Sequence, residues 1–198
     1  MIGIIDYGMG NLRSVQKAFE YLGYEAFFSD DPARILQAVK VILPGVGAFC
    51  DAIETLRAQK MDEAIFQVVK ENKPLLGICL GMQLMFEKSY ENGSYKGLGL
   101  LPGEIVRLPE TEKIPQIGWN SLNIKQRSPL FDGLGEEPYV YFVHSYYLET
   151  TAPVVSATCF YGKEIAVAAQ QNNIFALQFH PEKSGDAGLH ILNQFGRI

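Results

Sequence analysis

The chain predicts an α/β fold: a three-layer, mostly parallel, doubly wound sheet to which antiparallel strands are added in the second half. Two observations carry that expectation. Up to Cys79, short apolar runs alternate with helical patterns four times, the mark of strand–helix–strand units joined by right-handed crossovers. From about Leu98 the texture changes to short strands broken by Gly, Pro and Asn, which points to antiparallel pairing. In such a sheet ligands sit beyond the carboxyl ends of the parallel strands, so the turns that follow those strands are where chemistry is expected.

Residues 2–5 read as a buried strand, followed by the turn Asp6-Tyr7-Gly8-Met9-Gly10-Asn11 and a helix with Leu12, Val15, Phe19 and Leu22 on one face. Gly23 closes that helix. A second strand spans 24–28, and Asp31-Pro32 opens a short helix with a capping carboxylate and a proline at the first helical position, turning Ile35 and Leu36 to the sheet. The third strand, 41–43, ends at Pro44-Gly45-Val46-Gly47. Helical stretches at 51–56 and 61–71 lead to the fourth, which carries Cys79 and restarts as a helix over 80–88. In the second half, strands are expected at 104–108, 116–123, 139–147, 154–160, 165–170 and 174–179, with Asn172-Asn173 as a tight hairpin turn. A last helix, 186–195, sets Leu189, Leu192 and Phe195 at helical spacing. No repeat, low-complexity segment or linker interrupts the chain, so 1–198 reads as one domain.

With 198 residues, 47% of them hydrophobic and 20% charged, the chain can bury about 70% of its unfolded surface without help from a cofactor or metal. The formal charge of -5 and the lack of any Lys/Arg cluster exclude phosphate-backbone binding as a main activity. Cys50, Cys79 and Cys159 are odd in number, widely spaced and without a C-x-x-C. They indicate neither a disulfide framework nor a zinc site, and a reducing cytoplasm is the expected compartment. There is no basic leader, and no apolar run approaches the roughly 20 residues a membrane helix needs.

The centre of the chain's chemistry is Gly77-Ile78-Cys79-Leu80-Gly81. Glycines on both sides relieve crowding in a strained strand-to-helix turn that presents the residue between them, and helix N–H groups beside the sulfur favour a thiolate. A cysteine at a strand end is also an ordinary small hydrophobe, so a positioned base decides. Of three histidines, His190 sits in the last amphipathic helix and His144 follows a strand with no carboxylate beside it until Glu149. His180 ends the strand 174–179, and Glu182 follows across Pro181. In extended geometry both side chains point the same way, so the carboxylate can orient the imidazole and leave its other nitrogen for the thiol. Here the acid follows the histidine, whereas an α/β-hydrolase places it before.

These residues resemble the triad (class I) glutamine amidotransferase family, whose signatures are Gly77-Ile78-Cys79-Leu80-Gly81-Met82-Gln83 and His180-Pro181-Glu182. The stretches Asp6-Tyr7-Gly8-Met9-Gly10-Asn11, Pro44-Gly45-Val46-Gly47-Ala48-Phe49, Pro115-Gln116-Ile117-Gly118-Trp119-Asn120, His144-Ser145-Tyr146 and His180-Pro181-Glu182-Lys183-Ser184-Gly185 extend the resemblance over nearly the whole chain. Gln116-Ile117 stands where many members carry His-Met. The resemblance implies a glutaminase with Cys79 as nucleophile, His180 as acid and base and Glu182 as its orienting acid. It also implies an oxyanion hole from the Leu80 N–H and a backbone N–H near Val46 or Gly47. Gly45, Gln83, His144, Ser145 and Tyr146 would contact glutamine, and no cofactor is called for. The acceptor must bind elsewhere, because the chain holds no phosphate-cradling G-x-x-x-x-G-K-[ST] and no room for a second domain. The resemblance implies that the acceptor's chain is a separate cyclase subunit, a (β/α)₈ barrel; Asn11 in its polar turn, and the sole tryptophan Trp119 beside Asn120 on an expected strand, are the expected interface residues.

A nucleotide-binding module is the competing expectation, since Gly8-x-Gly10 follows the first strand and Asp30 the second. Arg13 stands where the third glycine of that fingerprint belongs, which breaks it.

Overall fold

The computed structural model describes all 198 residues. Strand β1 (Ile2–Ile5) is buried along its length and leads into α1 (Leu12–Tyr21), whose buried residues Val15, Ala18 and Phe19 form one stripe. Gly23, at φ 85°, ends α1 by letting the Tyr24 N–H reach back to the Phe19 carbonyl, a bond that needs a left-handed residue between them. β2 (Ala26–Ser29) precedes α2 (Pro32–Ile35), where the Asp31 carboxylate accepts from the Ala33 N–H at 2.9 Å. β3 (Lys40–Leu43), α3 (Phe49–Ala58), α4 (Met61–Lys70) and β4 (Leu75–Ile78) complete the first half.

Beyond Cys79 the helix α5 (Leu80–Leu84) is shorter than the expected 80–88. The chain returning at residues 97–100 is the reason. Its N–H groups donate to the carbonyls of Leu84, Met85, Phe86 and Glu87, so the helix is capped by a neighbouring segment instead of extending. Two strands follow that the sequence did not announce, β5 (Lys88–Ser89) and β6 (Tyr95–Lys96), then β7 (Glu104–Arg107). The expected strand 116–123 divides into β8 (Gln116–Ser121) and β9 (Asn123–Ile124) around buried Leu122. The expected strand 139–147 also divides, into β10 (Tyr139–His144) and β11 (Tyr146–Glu149). Ser145 is the pivot: β10 pairs only with β8 in a two-stranded ribbon, while β11 joins the large sheet beside β7. β12 (Val155–Tyr161), β13 (Lys163–Gln171), β14 (Ile174–Leu177) and α6 (Gly185–Arg197) close the chain. The β13–β14 hairpin turns at Asn172, φ 53°, as the dipeptide predicts.

The large sheet has the order β2-β1-β3-β4-β14-β13-β11-β7-β5-β6. Its first five strands are parallel, and β14 is the seam, parallel to β4 and antiparallel to β13. Strand alternation divides the apolar residues between two cores of 28 and 27 buried residues. Ile5, Val41, Leu43 and Leu75 face α2, α3 and α4, while Ile4, Ile42 and Leu76 face α1 and α6, which gives the expected three layers. No helix is long and apolar enough to cross a membrane.

Candidate active site

Cys79 is the first residue past β4, at φ 55° and ψ −112°. A side chain in that conformation is strained by about 1–3 kcal/mol, which the surrounding structure must impose. Two close approaches do so. A Cβ at Gly81 would run into the Leu43 carbonyl oxygen, and one at Gly77 would meet Met85 and the Met82 backbone. The Cys79 N–H is fixed by the Leu177 carbonyl at 2.8 Å. On the other side, the Pro44-Gly45 turn is held by the Tyr7 hydroxyl, which donates to the Pro44 carbonyl at 2.9 Å from a buried ring.

His180 arrives from the neighbouring strand. Ile78 and Leu177 are register partners in the parallel β4–β14 pair, so residues a hundred positions apart in sequence emerge side by side at the same sheet edge. His180 does not continue the strand, as an extended His-x-Glu would require. Pro181–Lys183 forms one turn of 3₁₀ helix, and that turn folds Glu182 back onto the ring, Oε1 to Nδ1 at 2.9 Å with the two side chains 1% and 5% exposed. The turn is braced against β10. The His180 N–H donates to the Tyr141 carbonyl at 3.0 Å, and the Ser184 hydroxyl donates to the His180 carbonyl at 2.6 Å while accepting from the Tyr141 N–H at 2.9 Å.

Cys79 and His180 open into one cavity of about 330 Å³, large enough for an amino acid. Val46, Gly47, Leu80 and Gln83 line it from the parallel half, and His144, Ser145 and Tyr146 from the break between β10 and β11. Gly45 lies behind this lining, where a Cβ would run into the Tyr7 hydroxyl. Asn11, Trp119 and Asn120 lie outside the cavity.

The matching family model is glutamine amidotransferase class-I, over residues 3–197. The chain belongs to that family. Curated relatives include the imidazole glycerol phosphate synthase subunit HisH of Caldanaerobacter subterraneus, 52% identical over 100% of this chain and 98% of the relative. The subunit of the same name from Syntrophotalea carbinolica is 50% identical over 99% of each. Among solved structures, PurLQS from Thermotoga maritima matches the fold with a TM-score of 0.79 at 20% identity, covering 99% of this chain and 97% of that one.

Within this amidotransferase the two buried histidines are driven in opposite directions. For His180, burial alone would favour the neutral ring, but the Cys79 sulfur and the Glu182 carboxylate override it and raise the pKa to about 10. Both neighbours therefore favour the charged ring. For His144, burial dominates and lowers the pKa to about 4, with the Tyr146 carbonyl and the nearby His180 as smaller influences. His144 is neutral, its Nδ1 2.8 Å from the Tyr146 carbonyl and its Nε2 3.0 Å from the Gln116 amide. Gln116 thus reaches the wall of the site from a strand expected to serve an interface.

Sequence reasoning missed several members of this site. Glu91 lines the cavity as its carboxylate while also accepting from the Phe49 N–H at 2.7 Å. Ser184 follows the recognised motif by two residues and braces it. Gln178 is wholly buried between Gln83 and Cys79. Its signal was present, an amide at the end of an otherwise apolar strand, where burial demands partners.

Proposed function

We propose that this chain is the glutaminase subunit of an imidazole glycerol phosphate synthase, one domain over residues 1–198 in the cytoplasm, joined to a cyclase subunit as a heterodimer. It hydrolyses glutamine to glutamate and ammonia and passes the ammonia to the cyclase, which forms imidazole glycerol phosphate and the aminoimidazole carboxamide ribonucleotide of histidine biosynthesis. The observation that carries this reading is the buried Cys79, His180 and Glu182 constellation in a glutamine-sized cavity, in a chain about half identical, end to end, to subunits of that name.

The Cys79 sulfur attacks the carboxamide carbon of glutamine, and the resulting oxyanion is held by the Leu80 N–H and the backbone at Val46 and Gly47. His180, protonated beside the sulfur, gives its proton to the departing ammonia. The neutral ring then takes a proton from the water that cleaves the thioester, help worth about 10²–10⁴ in rate. Glu182 keeps Nδ1 protonated so that Nε2 does this work. Gln83 and the His144-Ser145-Tyr146 segment grip the substrate, and Glu91 suits its ammonium. No step calls for a cofactor or metal.

Ammonia freed into water at neutral pH becomes non-nucleophilic ammonium, so a docked acceptor is required. The β8–β10 ribbon presents the surface for it. Trp119, 56% exposed and edge-on to Tyr141, lies on the same face as the exposed Ile117, Tyr139 and Val143. Asn11, at the start of α1, extends this reading, whereas the Asn120 amide is engaged by the Phe160 carbonyl at 2.9 Å. A glutamine-derived electrophile is expected to add to Cys79 alone, read by peptide mass spectrometry. Addition at Cys50 or Cys159 instead would overturn the assignment.

A further inference from the structure

We propose that Gln178 is a catalytic residue: its side-chain amide N–H stabilises the Cys79 thiolate and ties that sulfur to Gln83. The inference deepens the glutaminase reading and rests on it.

The atoms fix the direction of every bond. Gln83 Nε2 lies 3.2 Å from the Tyr146 carbonyl, which only accepts, so the nitrogen must stand there. The same nitrogen lies 3.0 Å from Gln178, whose facing atom must then be Oε1. That leaves Gln178 Nε2 directed at the Cys79 sulfur, 3.9 Å away. Gln178 is 0% exposed, and the sulfur is the partner this buried NH₂ group has. A neutral thiol is a poor acceptor for it, whereas a thiolate is a strong one. The thiol has a different partner of its own, the Val143 carbonyl at 3.8 Å. In the neutral pair, a thiol beside a His180 ring whose Nε2 is unprotonated, the S–H bond breaks as its proton forms the Nε2–H bond, and the sulfur gives up Val143 and accepts from Gln178. The ionised state is then the one in which the buried amide is satisfied. Because Gln83 lines the cavity and bonds the other end of this amide, a substrate seated on Gln83 orders the group that steadies the nucleophile.

The test is the alkylation of Cys79 by iodoacetamide from pH 5.5 to 9.5, followed peptide by peptide in the whole chain, with Cys50 as internal control. The other titratable groups facing the sulfur, His180 from the turn after β14 and Tyr7 from the turn after β1, are kept, as is His144 across the cavity. Gln178→Glu keeps the size and removes the donor, and Gln178→Leu removes the polarity. Both are expected to slow Cys79 about tenfold at pH 7, with the gap closing at alkaline pH. Gln83→Leu, which unties Oε1 only, is expected to give a smaller loss of the same form. The proposal is overturned if the Gln178 variants keep the parent profile, or if they slow the reaction by one factor at every pH, which is the mark of loosened packing. Glutaminase failure looks different: Cys79 in the unsubstituted chain would react no faster than Cys50.

Discussion

The parallel and antiparallel halves of the molecule contribute to one cavity by different means. In the parallel half, the nucleophile's position comes from backbone against backbone: Gly81 against the Leu43 carbonyl and the Cys79 N–H on the Leu177 carbonyl. In the antiparallel half it comes from side chains, with His144 held by the Tyr146 carbonyl and the Gln116 amide. Backbone packing has few ways to relax, whereas side chains re-pack. On the proposed function Cys79 belongs to the rigid half and His144, Ser145 and Tyr146 to the adaptable one, so damage to the first should appear in kcat and damage to the second in KM.

Four outcomes break or sharpen that contrast. Cys79→Ala is expected to lower glutamate release by about 10⁴-fold or more, while ammonia-driven cyclase activity of the complex survives; loss of both activities would place the residue in folding instead. Gly81→Ala forces a methyl group onto a backbone carbonyl, and chemical denaturation should show a loss of about 3–5 kcal/mol. A cost below about 1 kcal/mol would mean that the elbow yields. Glu182→Gln keeps the shape and loses the charge that holds His180, and kcat should fall about 10²–10³-fold with KM little changed. His144→Ala should do the converse, raising KM about tenfold at nearly constant kcat.

The two histidines also divide the pH axis. The raised pKa of His180 adds stability that is fully present below its ordinary value and lost as pH rises through about 10. The lowered pKa of His144 means the unfolded chain binds the extra proton between about 4 and the ordinary histidine range, so stability falls as pH drops through that window. Melting temperature is expected to peak near neutrality. His180→Ala should flatten the alkaline limb and His144→Ala the acid one.

The same division explains what could be read in advance. The parallel half was legible because its signals are local: alternating apolar runs, Gly23 after a helix, Asp31-Pro32 before one, two glycines around Cys79. The meeting of Cys79, His180 and Glu182 was legible from the two short motifs that hold them, although the His180 and Glu182 contact arises from a 3₁₀ turn and not from an extended strand. The break at Ser145 was not legible, since Tyr139 to Glu149 reads as continuous strand and the choice of partner, β8 or β7, is made at long range. The shortened α5 was lost for the same reason, its carbonyls being claimed by a segment thirteen residues or so downstream.

The position of β14 has a consequence for how the protein is born. Until this late segment leaves the ribosome, β4 is an unpaired edge, and the thiol at its tip has neither its imidazole nor its amide neighbour. A nascent or truncated chain is thus exposed to edge-to-edge aggregation. The four residues of β14 close that edge, and the amide and imidazole beside the sulfur follow within three residues of its end.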